Sequence, residues 1–413
     1  MKISDADKNV LRELGRRQAE IGNLPVQKEK AALWRQLNGL TRTRPLVWIN
    51  EIPWWEMNFD DELTLRTEDE FCRGIETGLR RTLYQWDHMR ADMVVDPEIQ
   101  CPYAVRDTGF GLEVNAVRSD AEGMTAADYL PVIKTEEDIE KIQMPTVTVD
   151  GEATERNYQA MCEIFDGVLP VEKIGVTHMW CAPWDILIQW WGITELYMDM
   201  TDRPQFVHQG ISRMMDALVA RLDQLEEQCA LSAGNNSHRV GSGGLGITDE
   251  LPGSDFDPRH VRPINQWGTA TGQIFSEVSP DMHEEFCLQY ERRWLERFGL
   301  NCYGCCEPLH NKIHLLRTIP RLRRISMSTW VDVSVAAERI GADFVFSYKP
   351  NPAVLATDGW NPEVARAELR RVLEQTRGCV VELILKDIST VRNDPPRLWK
   401  WADLAMGVAE GFS

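Results

Sequence analysis

Hydrophobic spacing divides the chain into an irregular first half and a regular second half. Ser279-Pro280-Asp281 supplies the cap, first-turn proline and acid of a helix start. Met282, Phe286, Tyr290 and Trp294 then recur every fourth residue, and Gly299 ends the pattern. The apolar run 300–305 reads as a buried strand. The alternation continues with a helix near 309–319, a strand at 324–328 and a helix at 333–340, stopped by Gly341. A strand at 344–348, a helix at 362–375, a strand at 380–385 and a helix at 396–410 follow. Strands separated by helices predict an α/β protein with a parallel sheet. Three predicted strand ends carry polar chemistry: Cys305-Cys306-Glu307, Lys349-Pro350-Asn351 and Lys386-Asp387. A closed sheet gathers such ends around one mouth, so the expectation is a TIM-like (β/α)8 barrel.

The first half is read more coarsely. Residues 1–43 form a helical extension of two amphipathic helices, broken near Gly22-Asn23-Leu24-Pro25. They are expected to pack on the main body or on a second copy of the chain, as in a homodimer. The barrel is assigned to 44–413. A strand at 46–50 leads to Glu51, Trp54, Trp55 and Glu56. These fit a pocket wall and, equally, a surface loop with an aromatic lid. A helix at 68–84 and a strand at 92–96 follow. Residues 101–160 are expected to form inserted loops over the mouth. The run 168–179 reads as a strand leading to His178, Trp180 and Cys181. A lone histidine there suits a structural hydrogen bond as well as a binding role. Residues 204–228 read as a long helix. The glycine-rich run 239–247 resembles a strand and lacks the spacing of a phosphate loop. Asp249 and Glu250 are candidate pocket acids, and 253–272 reads as irregular loop.

Charge narrows the partners. The 413 residues carry 64 acids against 45 bases, a net charge of −19. That disfavours nucleic acid and anionic membranes and suits a partner with a basic docking face. No apolar run is long enough to span a membrane, and the N-terminus lacks an export-type apolar core. The ten cysteines are therefore expected to be reduced thiols of a cytoplasmic enzyme.

The densest chemistry lies in 300–310, LNCYGCCEPLH. A thiolate is a good zinc ligand, and the adjacent carboxylate can ligate or carry a proton. Burial as core accounts for Cys302. Strand alternation places Tyr303 and Cys305 on one face and Cys302 and Cys306 on the other. Cys305 and Cys306 can reach one metal only if the backbone turns at the strand end.

With these motifs the chain resembles the uroporphyrinogen decarboxylase superfamily, which includes zinc-dependent methyltransferases of corrinoid systems. Ser279-Pro280-Asp281-Met282 with Glu284-Glu285-Phe286 is similar to the helix before the family's metal strand. Tyr303-Gly304-Cys305-Cys306 falls where the methyltransferases carry His-x-Cys-Gly. Tyr348-Lys349-Pro350-Asn351-Pro352 falls near a Gly-Asn-x-x-Pro segment, and 380–387 matches the last strand. The arginine-rich segment that holds porphyrinogen carboxylates is replaced by Ile49-Asn50-Glu51-Ile52-Pro53-Trp54, which argues against porphyrinogen decarboxylation. Tyr303 stands in place of the ligand histidine. The last strand offers Glu382, Lys386 and Asp387 instead of a cysteine.

The resemblance implies a modified zinc site drawn from Cys305 or Cys306 with Glu307, and Glu382 or Asp387, with His310 a weaker candidate. It implies catalytic roles for Glu307, Lys386 and Asp387. Substrate contacts would come from Glu51, Trp54, His178, Trp180, Asp249, Lys349 and Asn351. The implied reaction moves a methyl group from a small organic donor, such as a methyl ether, to a corrinoid on a partner protein. A metal-independent decarboxylase or lyase of a small organic acid is the first rival. It would use Lys349, Lys386, Asp387 and Glu51. A non-enzymic small-molecule or corrinoid-binding protein is the second.

Overall fold

The computed structural model describes residues 3–118 and 127–412. Residues 119–126 of the expected inserted region lie outside it. The main sheet contains β1 (Leu46–Ile49), β2 (Trp267–Ala270), β3 (Leu300–Tyr303), β4 (Leu322–Met327), β5 (Val345–Tyr348) and β6 (Val380–Leu385). All neighbours are parallel, in the order β1-β6-β5-β4-β3-β2. Helices cover the outer face, and β2, β3, β5 and β6 are buried at every position. Strands buried on both faces are what continuous apolar runs such as Val380–Leu385 produce.

Contacts extend the sheet at both edges. Asp92 N–H donates to Val47 O (2.9 Å) beside β1, and Cys181 forms a parallel bridge with Ala270 beside β2. Ile99–Pro102 and Val171–Ile174 pair in a separate two-stranded sheet. No ladder closes the six strands into a ring among the described residues. The expected eight-stranded ring is thus a six-stranded parallel sheet with short flanking contacts. The expected strand at 92–96 is extended chain without a ladder of its own.

The glycine-rich run is a hairpin inserted into the sheet's inner side. Arg239 and Leu245 form its antiparallel bridge. Ser242 Oγ donates to Gly304 O (2.9 Å), which pins the hairpin tip beneath β3. A Cβ on Gly243 would lie 2.5 Å from the Arg324 side chain, and one on Gly244 would lie 2.2 Å from the Trp34 ring. Close packing, not phosphate binding, demands these glycines.

The N-terminal helices Asp5–Gly22 and Pro25–Asn38 pack on the body of the protein. Trp34 is fully buried and its Nε1–H donates to Asp92 O (2.7 Å). The Asn38 amide donates to Leu245 O (2.9 Å) and Ile247 O (2.8 Å). These contacts seal the end of the sheet from which the strands start.

The helix Glu70–Met89 begins at an Asp69 cap and buries Cys72, Glu76, Leu79 and Leu83. It borders a cavity of about 600 Å³ that reaches Asp96 and His238. Gly74 and Gly78 face open space there, with nothing within 4 Å of an added Cβ. Mid-helix glycine costs roughly 0.5–1 kcal/mol relative to alanine. Gly78→Ala is therefore expected to stabilise the fold by about that amount, read as a rise in the urea midpoint at unchanged slope. A fall in the midpoint would show that the glycine is needed for packing.

Candidate functional site

Three strands end in left-handed backbone on the same side of the sheet. Glu51 follows β1 with φ +52°, Gly304 follows β3 with φ +92°, and Asp387 follows β6 with φ +57°. Non-glycine residues held there store roughly 1–3 kcal/mol each and collect at functional sites. The turn at Gly304 brings two consecutive thiols together, with Cys305 Sγ 3.5 Å from Cys306 Sγ. Lys386 Nζ lies 3.0 Å from Cys305 Sγ and 3.7 Å from Cys306 Sγ. It also lies 3.0 Å from Asp387 Oδ2 and 3.8 Å from Glu51 Oε2. Cys306 Sγ also lies 3.3 Å from Asp387 Oδ2, so its single S–H is shared between the Cys305 sulfur and that carboxylate, and Arg239 pairs with Glu51 Oε1 (3.0 Å).

This arrangement separates the two thiols electrostatically. A hydrogen bond from Cys306, with help from the Lys386 ammonium, overcomes burial and holds Cys305 below the usual thiol range. Cys306, the donor beside that thiolate, is pushed far up. Burial works against the Lys386 charge, but Cys305, Cys306 and Asp387 outweigh it and hold the amine above its ordinary value. Burial also opposes the Asp387 charge, and Lys386 reverses the balance and lowers its pKa. The site pairs a thiol of lowered pKa with the Lys386 amine, flanked by a second thiol and two carboxylates.

Other candidate residues stand elsewhere. Glu307 is fully buried and clamps two loops. Its Oε1 accepts from Thr271 Oγ1 (2.6 Å) and Gly272 N–H (3.0 Å), and its Oε2 accepts from Cys305 N–H (2.6 Å). It positions the thiol loop. Glu382 faces the sheet interior, where Oε1 meets Arg324 Nε at 3.2 Å, so its carboxylate belongs to that ion pair rather than to a metal with the thiols. Lys349 is buried beside it and donates to Ser347 O (2.9 Å) and Ser347 Oγ (2.6 Å). Burial lowers its pKa to about 8.

Asp249 is an exposed partner of Arg35 (2.9 Å), next to Glu250, which pairs with Arg323 near the start of β4. It therefore sits at the end opposite the thiols. The Asn351 side chain accepts from Ala353 N–H (3.0 Å), a turn role. Trp54 packs edge-on against Tyr84 (6.1 Å) and beneath Arg81 (5.2 Å). His178 Nδ1 is buried with no partner, and burial together with nearby Arg239 lowers its pKa to about 4. Trp180 stands exposed beside it, ring centroids 6.4 Å apart. His310 accepts from Asp332 N–H (3.4 Å).

A second cluster escapes the sequence reading. The helical stretch from Pro280 to Leu295 contains a π turn at Glu284–Leu288. His283, Cys287 and Glu291 project from it, all buried, with ligating atoms within 4.8 Å of one another. Tyr303 Oη lies 2.8 Å from His283 Nε2, 4.0 Å from Cys287 Sγ, and donates to Glu291 Oε2 (2.7 Å). His283 Nδ1 and Glu291 Oε1 are buried and make no hydrogen bond among the described residues. Burial drives His283 down to about 3 and Glu291 up to about 8. The His-x3-Cys-x3-Glu spacing was visible in the sequence. It lies one residue beyond the apolar row Met282, Phe286, Tyr290, Trp294, which dominates the periodicity.

No protein-family model matches the chain, and no curated protein matches it. Among solved structures it is similar to a methyltransferase from Methanosarcina mazei, with a TM-score of 0.50 and 10% identity. The match covers 93% of this chain and 98% of that one. At that identity the likeness is one of fold.

Proposed function

We propose that this chain is a methyltransferase that takes a methyl group from a small organic donor, such as a methyl ether, and delivers it to a corrinoid on a partner protein. The observation that carries this reading is the contact of Lys386 Nζ with Cys305 Sγ, 3.0 Å apart at the strand ends. The fold likeness to a methyltransferase and the resemblance of the 279–306 segment to the corrinoid-system enzymes support it.

The zinc implied by that resemblance does not fit at Cys305, Cys306 and Glu382. Glu382 is held by Arg324, and the Lys386 ammonium already stands against both sulfurs. No step is assigned to a metal there. An ether oxygen is a poor leaving group, and its bonding pair must be stabilised as the methyl carbon departs. In this reading Lys386 donates to that oxygen and yields a proton to it. Cys305 and Asp387 keep the amine charged between turnovers, and the single Cys306 S–H is shared between Cys305 and Asp387. Glu51 and Arg239 close one wall. Trp55 is 70% exposed and Trp330 is 76% exposed, on loops that leave the same ends of β1 and β4. Exposed tryptophans suit a partner's docking face.

The test supplies the purified chain with a reduced corrinoid and a panel of methyl aryl ethers, and follows formation of the methylated corrinoid by absorbance. Transfer is expected from the wild type. Lys386→Met is expected to lower the rate by about 100-fold or more, the usual loss for one transition-state donor. Undiminished transfer by Lys386→Met would sink the reading. The rival lyase is favoured by one feature, the buried Lys349 amine with its lowered pKa. Release of carbon dioxide from a small acid in the absence of any corrinoid, lost in Lys349→Met, would establish it instead.

A further inference from the structure

We infer that His283, Cys287 and Glu291, with the Tyr303 hydroxyl, form a binding site for a zinc-like divalent cation between the π-turned helix and β3. This site is distinct from the strand-end thiols and does not rest on the methyl-transfer reading. The donor set is one imidazole, one thiol, one carboxylate and one phenol, all fully buried. Mixed nitrogen, sulfur and oxygen ligation selects zinc and its neighbours over magnesium or calcium.

Two observations point to a ligand beyond the donors' proximity. His283 Nδ1 and Glu291 Oε1 are buried with no hydrogen-bond partner among the described residues. Each buried polar atom left so costs roughly 1–3 kcal/mol, and native folds rarely tolerate two in one cluster. The π turn at Glu284–Leu288 is the second. Residues four apart already share one side of a regular helix with a drift of about 40° per step, and the π turn narrows that drift for His283, Cys287 and Glu291. The ligating atoms now lie within 4.8 Å of one another. Zinc bonds of about 2.0–2.3 Å would draw them inward around the cation.

Charge balances. Binding displaces one proton from Cys287 and one from Glu291, and the two anions neutralise a dication in a site too dry to hold either anion alone. The cation would rivet the helix to β3, two residues before the Cys305–Cys306 loop. It would act as a positioning element for those thiols.

The experiment measures metal content by plasma mass spectrometry on the purified full chain. It also measures the thiolate-to-cobalt charge-transfer band after metal stripping and reconstitution with Co(II). The proteins compared are the wild type, the Cys305→Ser/Cys306→Ser double variant, Cys287→Ser and the isosteric Glu291→Gln. Stoichiometric metal and the cobalt band are expected in the wild type and in the double variant. The band is expected to vanish in Cys287→Ser, and affinity to fall by about 10-fold or more in Glu291→Gln. A chelator is expected to lower the melting temperature of the wild type and leave Cys287→Ser unmoved. If Cys287→Ser does not fold, Glu291→Gln and the double variant still decide. Absence of both metal and cobalt band in the wild type overturns the site. So does a band that survives in Glu291→Gln at full affinity and disappears with Cys305 and Cys306.

Discussion

Arg324→Met is expected to destabilise the protein by about 3–5 kcal/mol, because it leaves a buried carboxylate without its cation. Arg324 and Glu382 are both fully buried, with Nε and Oε1 3.2 Å apart. The guanidinium also donates to Asn38 Oδ1 (2.7 Å), Gly244 O (3.2 Å) and Leu245 O (3.3 Å). It therefore ties β4 to β6, to the inserted glycine hairpin and to the end of the second N-terminal helix. Glu382 accepts from Ser347 Oγ and Gly244 N–H, so β5 is held as well. Urea denaturation of Arg324→Met measures the loss. The double variant Arg324→Met/Glu382→Met removes both charges and is expected to recover most of it, since a packed apolar pair can match a buried ion pair. A double variant as unstable as the single one would show that the hydrogen bonds to Asn38 and the hairpin, rather than the stranded charge, set the cost.

The same residues show why the fold was only partly legible. β6 was readable because Val380–Leu385 is one unbroken apolar run, and the helices Pro362–Gln375 and Pro396–Glu410 were readable from their proline starts. β2 was not, because Trp-Gly-Thr-Ala lacks apolar alternation and has a single branched residue, Thr269. Its glycine is required by packing: a Cβ on Gly268 would lie 2.4 Å from Asn301 Oδ1. The glycine run 239–247 looked like a strand because its apolar residues line the interior, yet its backbone bonds to itself.

Site residues follow the same division. Cys305, Cys306, Lys386 and Asp387 could be proposed because strand ends place side chains predictably. The opposite fates of Glu307 and Glu382 could not, since a buried carboxylate's role depends on whether backbone N–H groups or an arginine reach it. Those partners, Thr271, Gly272 and Arg324, come from other elements of the chain.

The Cys305 thiolate gives the proposed chemistry its most direct electrostatic test. Cys305 titrates below an ordinary thiol because Cys306 donates to it and Lys386 stands 3.0 Å away, together outweighing burial. A depressed folded pKa contributes stability above the unfolded thiol's value of about 8.5. That contribution is lost as pH falls through the folded value. Lys386→Met removes the charge while burial remains, so the Cys305 midpoint is expected to rise by about 1–3 pH units. Thiolate absorbance against pH measures it, taken as the difference between each protein and its Cys305→Ser counterpart, which cancels the other nine cysteines. Lys386→Arg keeps the charge and is expected to keep the low midpoint, yet to lose methyl transfer, because a guanidinium cannot yield a proton to the leaving oxygen. That split between an intact thiolate and absent turnover separates proton donation from simple charge stabilisation. An unmoved midpoint in Lys386→Met would assign the thiolate to Cys306 alone, and the lysine would then have no demonstrated hold on the site.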